Sequence, residues 1–495
     1  MKVNRVVFFV SAGLVALFVA AGAGFPETTG KAFATVQNLI VSWLGWFYIL
    51  AVTFFLLFTI WLLVSRYGSV RLGEDDSVPE FNRTTWFAML FSAGMGIGLL
   101  FFSVAEPMMH FSDSTLGKPH TIEAAKRALG ITFFHWGLHA WATYIVVGLS
   151  MSYFAYRHGL PLTVRSVFYP LLGDRIHGAI GNLIDIMAVF GTLFGVATSL
   201  GLGVQQINAG MQHVDLLDES LLNQLWLIAG ITTVATVSVV TGVNVGIRRL
   251  SELNLVLGLM LLVFVLITGP TVFLCRFLAE SLVRYPLTIV EMTFRKDIFT
   301  GSEWQKSWTL FYWGWWISWA PFVGMFIARI SRGRTIREFI LGVLFVPTLL
   351  TFVWLAVFGG TSLHSDLFGK SGITTAANES PATALFVMLE TLPWPTISSV
   401  LATIVIATFF ITSSDSASLV IDTITAGGNP DPPIGQRIFW AVTEGIVAAI
   451  LLATGGLIAL QTAAITMGLP LSVLMIVICL SLWKALRTET QCEGS

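Results

Sequence analysis

Apolar stretches near 20 residues long recur through the whole of this 495-residue chain. Each is long enough to cross the hydrocarbon core of a bilayer as a helix. Twelve can be read, at roughly 5–25, 43–65, 86–108, 128–156, 179–210, 224–245, 252–275, 307–328, 338–360, 396–426, 436–455 and 457–483. Inside a bilayer a backbone must satisfy its own polar groups, so such segments fold as helices. Composition agrees. Only 11% of residues are charged, where soluble domains carry about 25%. A soluble enzyme and a nucleic-acid-binding protein are both excluded. The first stretch, behind Lys2 and Arg5, resembles a secretory signal when read alone. Eleven later stretches make it the first helix of an all-α, multi-pass membrane protein.

The longest polar stretches, 66–85, 109–127, 157–178 and 361–395, leave no room for a separate soluble domain. Most of the Lys and Arg residues, Arg329, Arg332, Arg334 and Arg337 among them, fall on one side if both termini are cytoplasmic. The positive-inside rule then predicts that orientation. Residues 277–296 alternate Phe277, Leu278, Leu282, Val283, Leu287 and Val290 with Arg276, Glu280, Arg284 and Glu291. That pattern fits an amphipathic helix on the outer membrane surface, or a partly ordered loop. Cys275, Cys479 and Cys492 show no metal spacing and imply no disulfide framework.

Function is most legible in Phe311-Tyr312-Trp313-Gly314-Trp315-Trp316-Ile317-Ser318-Trp319-Ala320-Pro321-Phe322, which lies in a segment uncharged between Lys306 and Arg329. On a helix Trp315, Trp316 and Trp319 fall within an arc of roughly 100°, and Tyr312 joins them. Indole faces attract cations that have lost their water, quaternary ammonium groups above all. The alternative is an interfacial tryptophan belt, although the run lies well inside its apolar segment.

Two further stretches carry chemistry. Ser92-Ala93-Gly94-Met95-Gly96-Ile97-Gly98 places three glycines at alternate positions of the third span. Each weakens a helix by about 1 kcal/mol relative to Ala. A helix broken there would offer backbone groups to an ion or substrate, or the glycines could serve close helix packing. In the tenth span, Thr412-Ser413-Ser414-Asp415-Ser416 sets hydroxyls and one carboxylate in an apolar segment. Such oxygens suit a small hard cation such as Na⁺. Alternatively the hydroxyls bond back to their own helix and Asp415 pairs with an arginine. The pair His135 and His139, four apart on a presumed continuous helix, has no acidic residue near it in sequence, so metal binding is not expected.

At these residues the chain resembles the betaine/carnitine/choline transporter family. The most specific marks are Trp315-Trp316-Ile317-Ser318-Trp319-Ala320-Pro321-Phe322 and Ala328-Arg329-Ile330-Ser331-Arg332-Gly333-Arg334-Thr335-Ile336-Arg337-Glu338-Phe339. The resemblance implies twelve transmembrane helices, with a LeuT-like inverted-repeat core preceded by two extra helices. Its parts would be 1–85 for the extra helices, 86–275 and 301–485 for two five-helix repeats, 276–300 for the amphipathic helix and 486–495 for a short cytoplasmic tail. It implies a substrate site of Trp136, Trp141, Tyr144, Trp315, Trp316 and Trp319, with Gly94, Gly96 and Gly98 on the broken helix. One Na⁺ site would use Ser92, Met95, Phe409, Thr412 and Ser413, and a second Phe322 with Thr198. Ser92 departs from the Ala frequent in relatives, which is tolerable if only its carbonyl coordinates.

The expectation is a secondary transporter, not an enzyme. It would take up glycine betaine, or another quaternary ammonium or sulfonium solute, by Na⁺ symport as a homotrimer in a bacterial inner membrane, without an organic cofactor. The family's sodium-independent carnitine exchangers place a Met and a buried Arg in place of the ions. Here position 323 is Val, and no Lys or Arg lies between Leu250 and Leu274. Choline transporters of the family tend to place an acid where Gly98 stands. A channel would need a continuous polar pore, which the cage would block. An intramembrane enzyme would need a nucleophile motif to accompany His135, His139 and Asp415.

Overall fold

In the computed structural model, described here for residues 3–94, 96–241, 244–295, 303–429 and 431–492, the chain is all-α. Fourteen helices of twelve or more residues organise the described residues. They are α1 (Arg5–Gly24), α2 (Pro26–Val64), α3 (Arg83–Gly94), α4 (Ile97–Ser112), α5 (Ile122–Trp136), α6 (Leu138–Ser152) and α7 (Ala179–His213). There follow α8 (Leu221–Thr241), α9 (Asn244–Thr268), α10 (Thr271–Thr293), α11 (Thr309–Arg329), α12 (Ile336–Phe368), α13 (Pro395–Thr425) and α14 (Ile434–Cys492).

Seven helices are long and apolar enough to cross a membrane, and the bent pair Glu252–Thr268 and Thr271–Thr293, meeting at 108°, brings the number to eight among the described residues. Exposed apolar side chains such as Phe9, Trp43, Leu57, Trp226 and Val237 cover the outer helices. Water would penalise such a surface, and hydrocarbon does not. The protein is a multi-pass membrane protein.

Several expected spans are not single rods. The third breaks between α3 and α4 at the glycine stretch, and Gly96 caps α4 in extended backbone. The fourth breaks at Gly137, where a Cβ would collide with the Phe133 carbonyl and the Tyr285 hydroxyl. That hydroxyl accepts a hydrogen bond from the Leu138 N–H at 2.9 Å, satisfying a donor freed by the break. Tyr285 belongs to α10, which covers the expected amphipathic segment as far as Thr293, while 296–300 lie outside the described residues. One face of α10 buries Phe277, Tyr285 and Met292, and the other exposes Val283, Leu287 and Val290. The last two expected spans form one element, α14, bent at non-helical Gly455 and Gly456.

Around the centre, α11 packs against α6, α7 and α14, and α7 packs against α13 and α14. From Thr309 to Met325 no residue of α11 is outside the core. Helices α6 and α11 approach closely at two glycines. A Cβ on Gly148 would lie 3.0 Å from the Gly324 carbonyl oxygen. Only glycine at both positions allows the two backbones to touch.

Candidate functional site

The broken helices and α11 converge on one cavity. It is lined by Gly96, Gly98, Leu99, Trp136, Ala140, Trp141, Tyr144, Trp315, Trp316, Trp319 and Thr351. Six of these are the aromatic residues expected at the substrate site, and Gly96 and Gly98 are two of its three expected glycines. Gly94, the third, closes α3. The break explains the glycines sterically. A Cβ at Gly98 would overlap the Trp315 ring and lie 3.1 Å from Trp136, and one at Gly96 would lie 3.7 Å from Trp319.

The rings pack on one another. Trp315 and Trp316 stack at 4.9 Å with planes 12° apart. Trp136 meets Trp316 edge-on at 4.9 Å, Trp319 meets Trp315 at 6.3 Å, and Trp141 meets Tyr144 at 5.6 Å. Centroids 4.9 Å apart leave no layer for a cation between those faces. The cavity volume is about 30 Å³, whereas a cavity that binds benzene measures about 150 Å³. The space between these rings is therefore small.

Three indole N–H groups are tethered. Trp315 donates to the Gly195 carbonyl at 3.3 Å, Trp316 to the His135 carbonyl at 2.9 Å, and Trp136 to Glu106 Oε2 at 2.8 Å. The Trp319 N–H is buried with no hydrogen-bond partner. Glu106, on α4, is wholly buried and is a residue that the sequence reading passes over. Its Oε2 also accepts from the Tyr312 hydroxyl at 2.5 Å, and its Oε1 lies 2.6 Å from His135 Nδ1. One carboxylate thus joins α4, α5 and α11 directly behind the cage.

His135 and His139 do not share one helix face, because Gly137 separates them. His135 does have an acidic partner, Glu106, brought to it by tertiary packing. His139 stacks on Trp313 at 5.3 Å. Glu106, His110 and His135 place ligand atoms within 4.8 Å of one another. Glu106 meets His135, Trp136 and Tyr312, whereas His110 receives the Trp304 N–H at Nδ1 and its Nε2 has no hydrogen-bond partner.

The expected Na⁺ ligands are less gathered. Ser92 lies in α3, and Met95 lies outside the described residues. Phe409 is buried on α13, and Ser413 is half-buried. The Thr412 hydroxyl donates to its own helix at the Thr408 and Phe409 carbonyls and accepts from Asn254 at 2.9 Å. Thr198 donates to the Phe194 and Leu460 carbonyls at 2.8 and 2.9 Å. Phe322 packs edge-on against Trp319 at 5.4 Å. Asp415 takes a hydrogen bond from Ser238 at 3.3 Å and meets no arginine among the described residues.

Broken helices thus gather around one cavity within a multi-pass membrane protein. Residues 6–491 match the family described as BCCT, betaine/carnitine/choline family transporter, and the chain belongs to that family. It is 45% identical to the glycine betaine transporter of Acinetobacter baylyi, over 99% of this chain and 74% of that one. It is 42% identical to the probable glycine betaine transporter of Desulfitobacterium hafniense, over 99% and 98%. It is also 42% identical to the osmo-dependent choline transporter BetT2 of Acinetobacter baylyi, over 100% and 73%.

Proposed function

We propose that this protein takes up glycine betaine, or a closely similar trimethylammonium or sulfonium solute, by Na⁺ symport with alternating access. One observation carries the reading: Trp136, Trp315, Trp316 and Trp319 converge on a single cavity against the glycine-broken α3–α4 helix. The onium head enters among the indoles, each worth about 2 kcal/mol or more when desolvated. The substrate carboxylate meets the start of α4, whose unpaired N–H groups favour an anion. Glu106 stays behind the rings, where it holds Trp136 and Tyr312.

Na⁺ is held by the broken helix near Ser92 and Met95 together with Phe409, Thr412 and Ser413, and a second ion by the Phe322 carbonyl with Thr198. Ion and substrate stabilise the same broken helix, so each raises the affinity for the other. This reading carries the twelve-helix LeuT-like architecture, both termini in the cytoplasm of a bacterial cell, and a homotrimer. Since the space between the rings is small, substrate binding includes a parting of the rings.

Choline is the second reading, favoured by the similarity to BetT2. Gly98 opposes it, because the wall facing the substrate's polar end is backbone and carries no negative charge. Proteoliposome uptake of labelled betaine, choline, carnitine and dimethylsulfoniopropionate, with and without a Na⁺ gradient, tests both. Betaine accumulation that collapses without the gradient is expected. Substrate exchange indifferent to Na⁺ would sink the symport reading.

A further inference from the structure

Two hydroxyls in the cavity wall have no task in the aromatic cage. Thr351 of α12 and Tyr144 of α6 both line the cavity, and both are buried. Other buried hydroxyls on α12 bond back to their own helix. Thr348 donates to the Leu344 carbonyl at 2.6 Å, Thr361 to Val357 at 2.7 Å and Ser362 to Phe358 at 2.8 Å. Thr351 makes no such bond, and its hydroxyl has no hydrogen-bond partner among the described residues. Tyr144 is a similar exception. The hydroxyls of Tyr48, Tyr285 and Tyr312 engage the Ile465 carbonyl, the Leu138 N–H and Glu106, whereas that of Tyr144 engages nothing among the described residues. Both residues are firmly placed. Phe352, next to Thr351, stacks on Phe133 of α5 at 4.0 Å, and the Tyr144 ring meets Trp141 at 5.6 Å and Trp316 at 6.3 Å.

A buried hydroxyl without a partner is costly, so one kept at a cavity wall points to a ligand group that completes it. The other side chains lining the cavity are those of leucine, alanine and tryptophan, beside two glycines. Indole only donates, so Thr351 and Tyr144 carry the lining side-chain oxygens able to accept a hydrogen bond. They stand on α12 and α6, among the rings, and not at the start of α4 where the substrate carboxylate goes. They therefore face the onium end. A trimethylammonium head presents only C–H groups there, and ring faces suffice for it. A head with a methyl replaced by hydrogen presents a charged N–H. Burying that donor among indoles without an acceptor is costly, and a hydroxyl oxygen removes the cost.

We propose that the Thr351 and Tyr144 hydroxyls accept a hydrogen bond from an N–H on the onium end, so that the site takes partly methylated ammonium zwitterions as well as quaternary ones. The inference rests on the reading of this cavity as an onium site. Tryptophan-fluorescence titration of the purified full-length protein with N,N-dimethylglycine and with glycine betaine tests it, in Na⁺ medium at neutral pH, where the dimethylglycine nitrogen keeps its proton. The parent should bind dimethylglycine within about tenfold of betaine. Thr351→Val, which keeps the shape, should lower the dimethylglycine-to-betaine affinity ratio about tenfold, and Tyr144→Phe, which keeps the ring, several-fold. The variant that responds more identifies the principal acceptor. Thr351→Ser, which keeps the hydroxyl, should hold the ratio near the parent's. Betaine binding reports that each variant is folded. A parent that binds betaine but not dimethylglycine overturns the inference. So does a ratio that stays within about twofold of the parent's in both hydroxyl-free variants, or one that Thr351→Ser and Thr351→Val change alike. Each of those results leaves the onium site standing, whereas a parent that does not bind betaine overturns the site itself.

Discussion

The cage and the rear face of α13 handle polar atoms in opposite ways. Behind the cage, Glu106 is saturated by Trp136, Tyr312 and His135, and the indoles of Trp315 and Trp316 are tied to carbonyls. Behind α13, Glu444 accepts from Ser414 at one oxygen, and its other oxygen has no hydrogen-bond partner in good geometry. The first carboxyl is held at both oxygens by side chains of two other helices, the second at one oxygen by a single neighbouring helix. A side chain held at both ends fixes the position of the rings around it, whereas one held at a single end can turn.

The largest expected effect breaks the cage from behind. Glu106→Ala strands the Trp136 and Tyr312 donors, each costing about 1–3 kcal/mol when buried without a partner. Betaine affinity should fall about 100-fold or more, since 1.4 kcal/mol is about tenfold. Fluorescence titration reads it, and Glu106→Gln, which still accepts one bond, should recover part of the loss. Equal affinity in Glu106→Ala would show that the rings hold their places unaided.

Trp319→Leu comes next. Losing one desolvated indole face costs about 2 kcal/mol, near a factor of 30 in affinity. The same titration checks it, and unchanged affinity would reduce the tryptophan run to packing.

Gly98 separates steric from electrostatic control. Overpacking costs about 1–3 kcal/mol, so Gly98→Ala should weaken betaine binding about tenfold by pushing on Trp315. Gly98→Asp adds a negative charge, which repels the carboxylate of betaine and attracts choline. Competition uptake should show the choline-to-betaine ratio rising in Gly98→Asp but not in Gly98→Ala. A ratio equal in both would mean that the charge does not face the substrate.

The smallest effect is expected on α13. Thr412→Ala with Ser413→Ala should raise the Na⁺ concentration for half-maximal uptake several-fold, with betaine affinity at saturating Na⁺ little changed. The Thr412 bonds to its own helix make this the most exposed of the four expectations. An unaltered Na⁺ curve would confine both hydroxyls to holding the helix and Asn254.

The features legible in sequence are those whose signal is local. Glycines at alternate positions foretell the break before α4, and the spacing of Trp315, Trp316 and Trp319 foretells their common cavity. Glu106 is less legible because its partners, His135 and Tyr312, are 29 and 206 positions away. Its only local signal is a carboxylate standing alone in an apolar span. Asp415 gives the same signal within a hydroxyl-rich stretch. Glu444 gives it on α14, and its contact with Ser414 of α13 is a property of packing. The split at Gly137 also hides in sequence. Apolar residues continue through it, and the donor it frees is met by Tyr285 from the distant α10.

The contact of Gly148 with Gly324 has a mechanical consequence. It lies four residues beyond Tyr144 on α6 and eight beyond Trp316 on α11, so two of the three helices that carry the rings meet backbone to backbone just past them. At 1.5 Å per residue, Trp316 stands roughly 12 Å along α11 from that point. Tilting α11 about it by about 10° carries Trp316 sideways by roughly 2 Å, while the touching backbones move hardly at all. A small rotation there would carry Trp315, Trp316 and Trp319 together, as one body, relative to Trp136 of α5 and Tyr144 of α6.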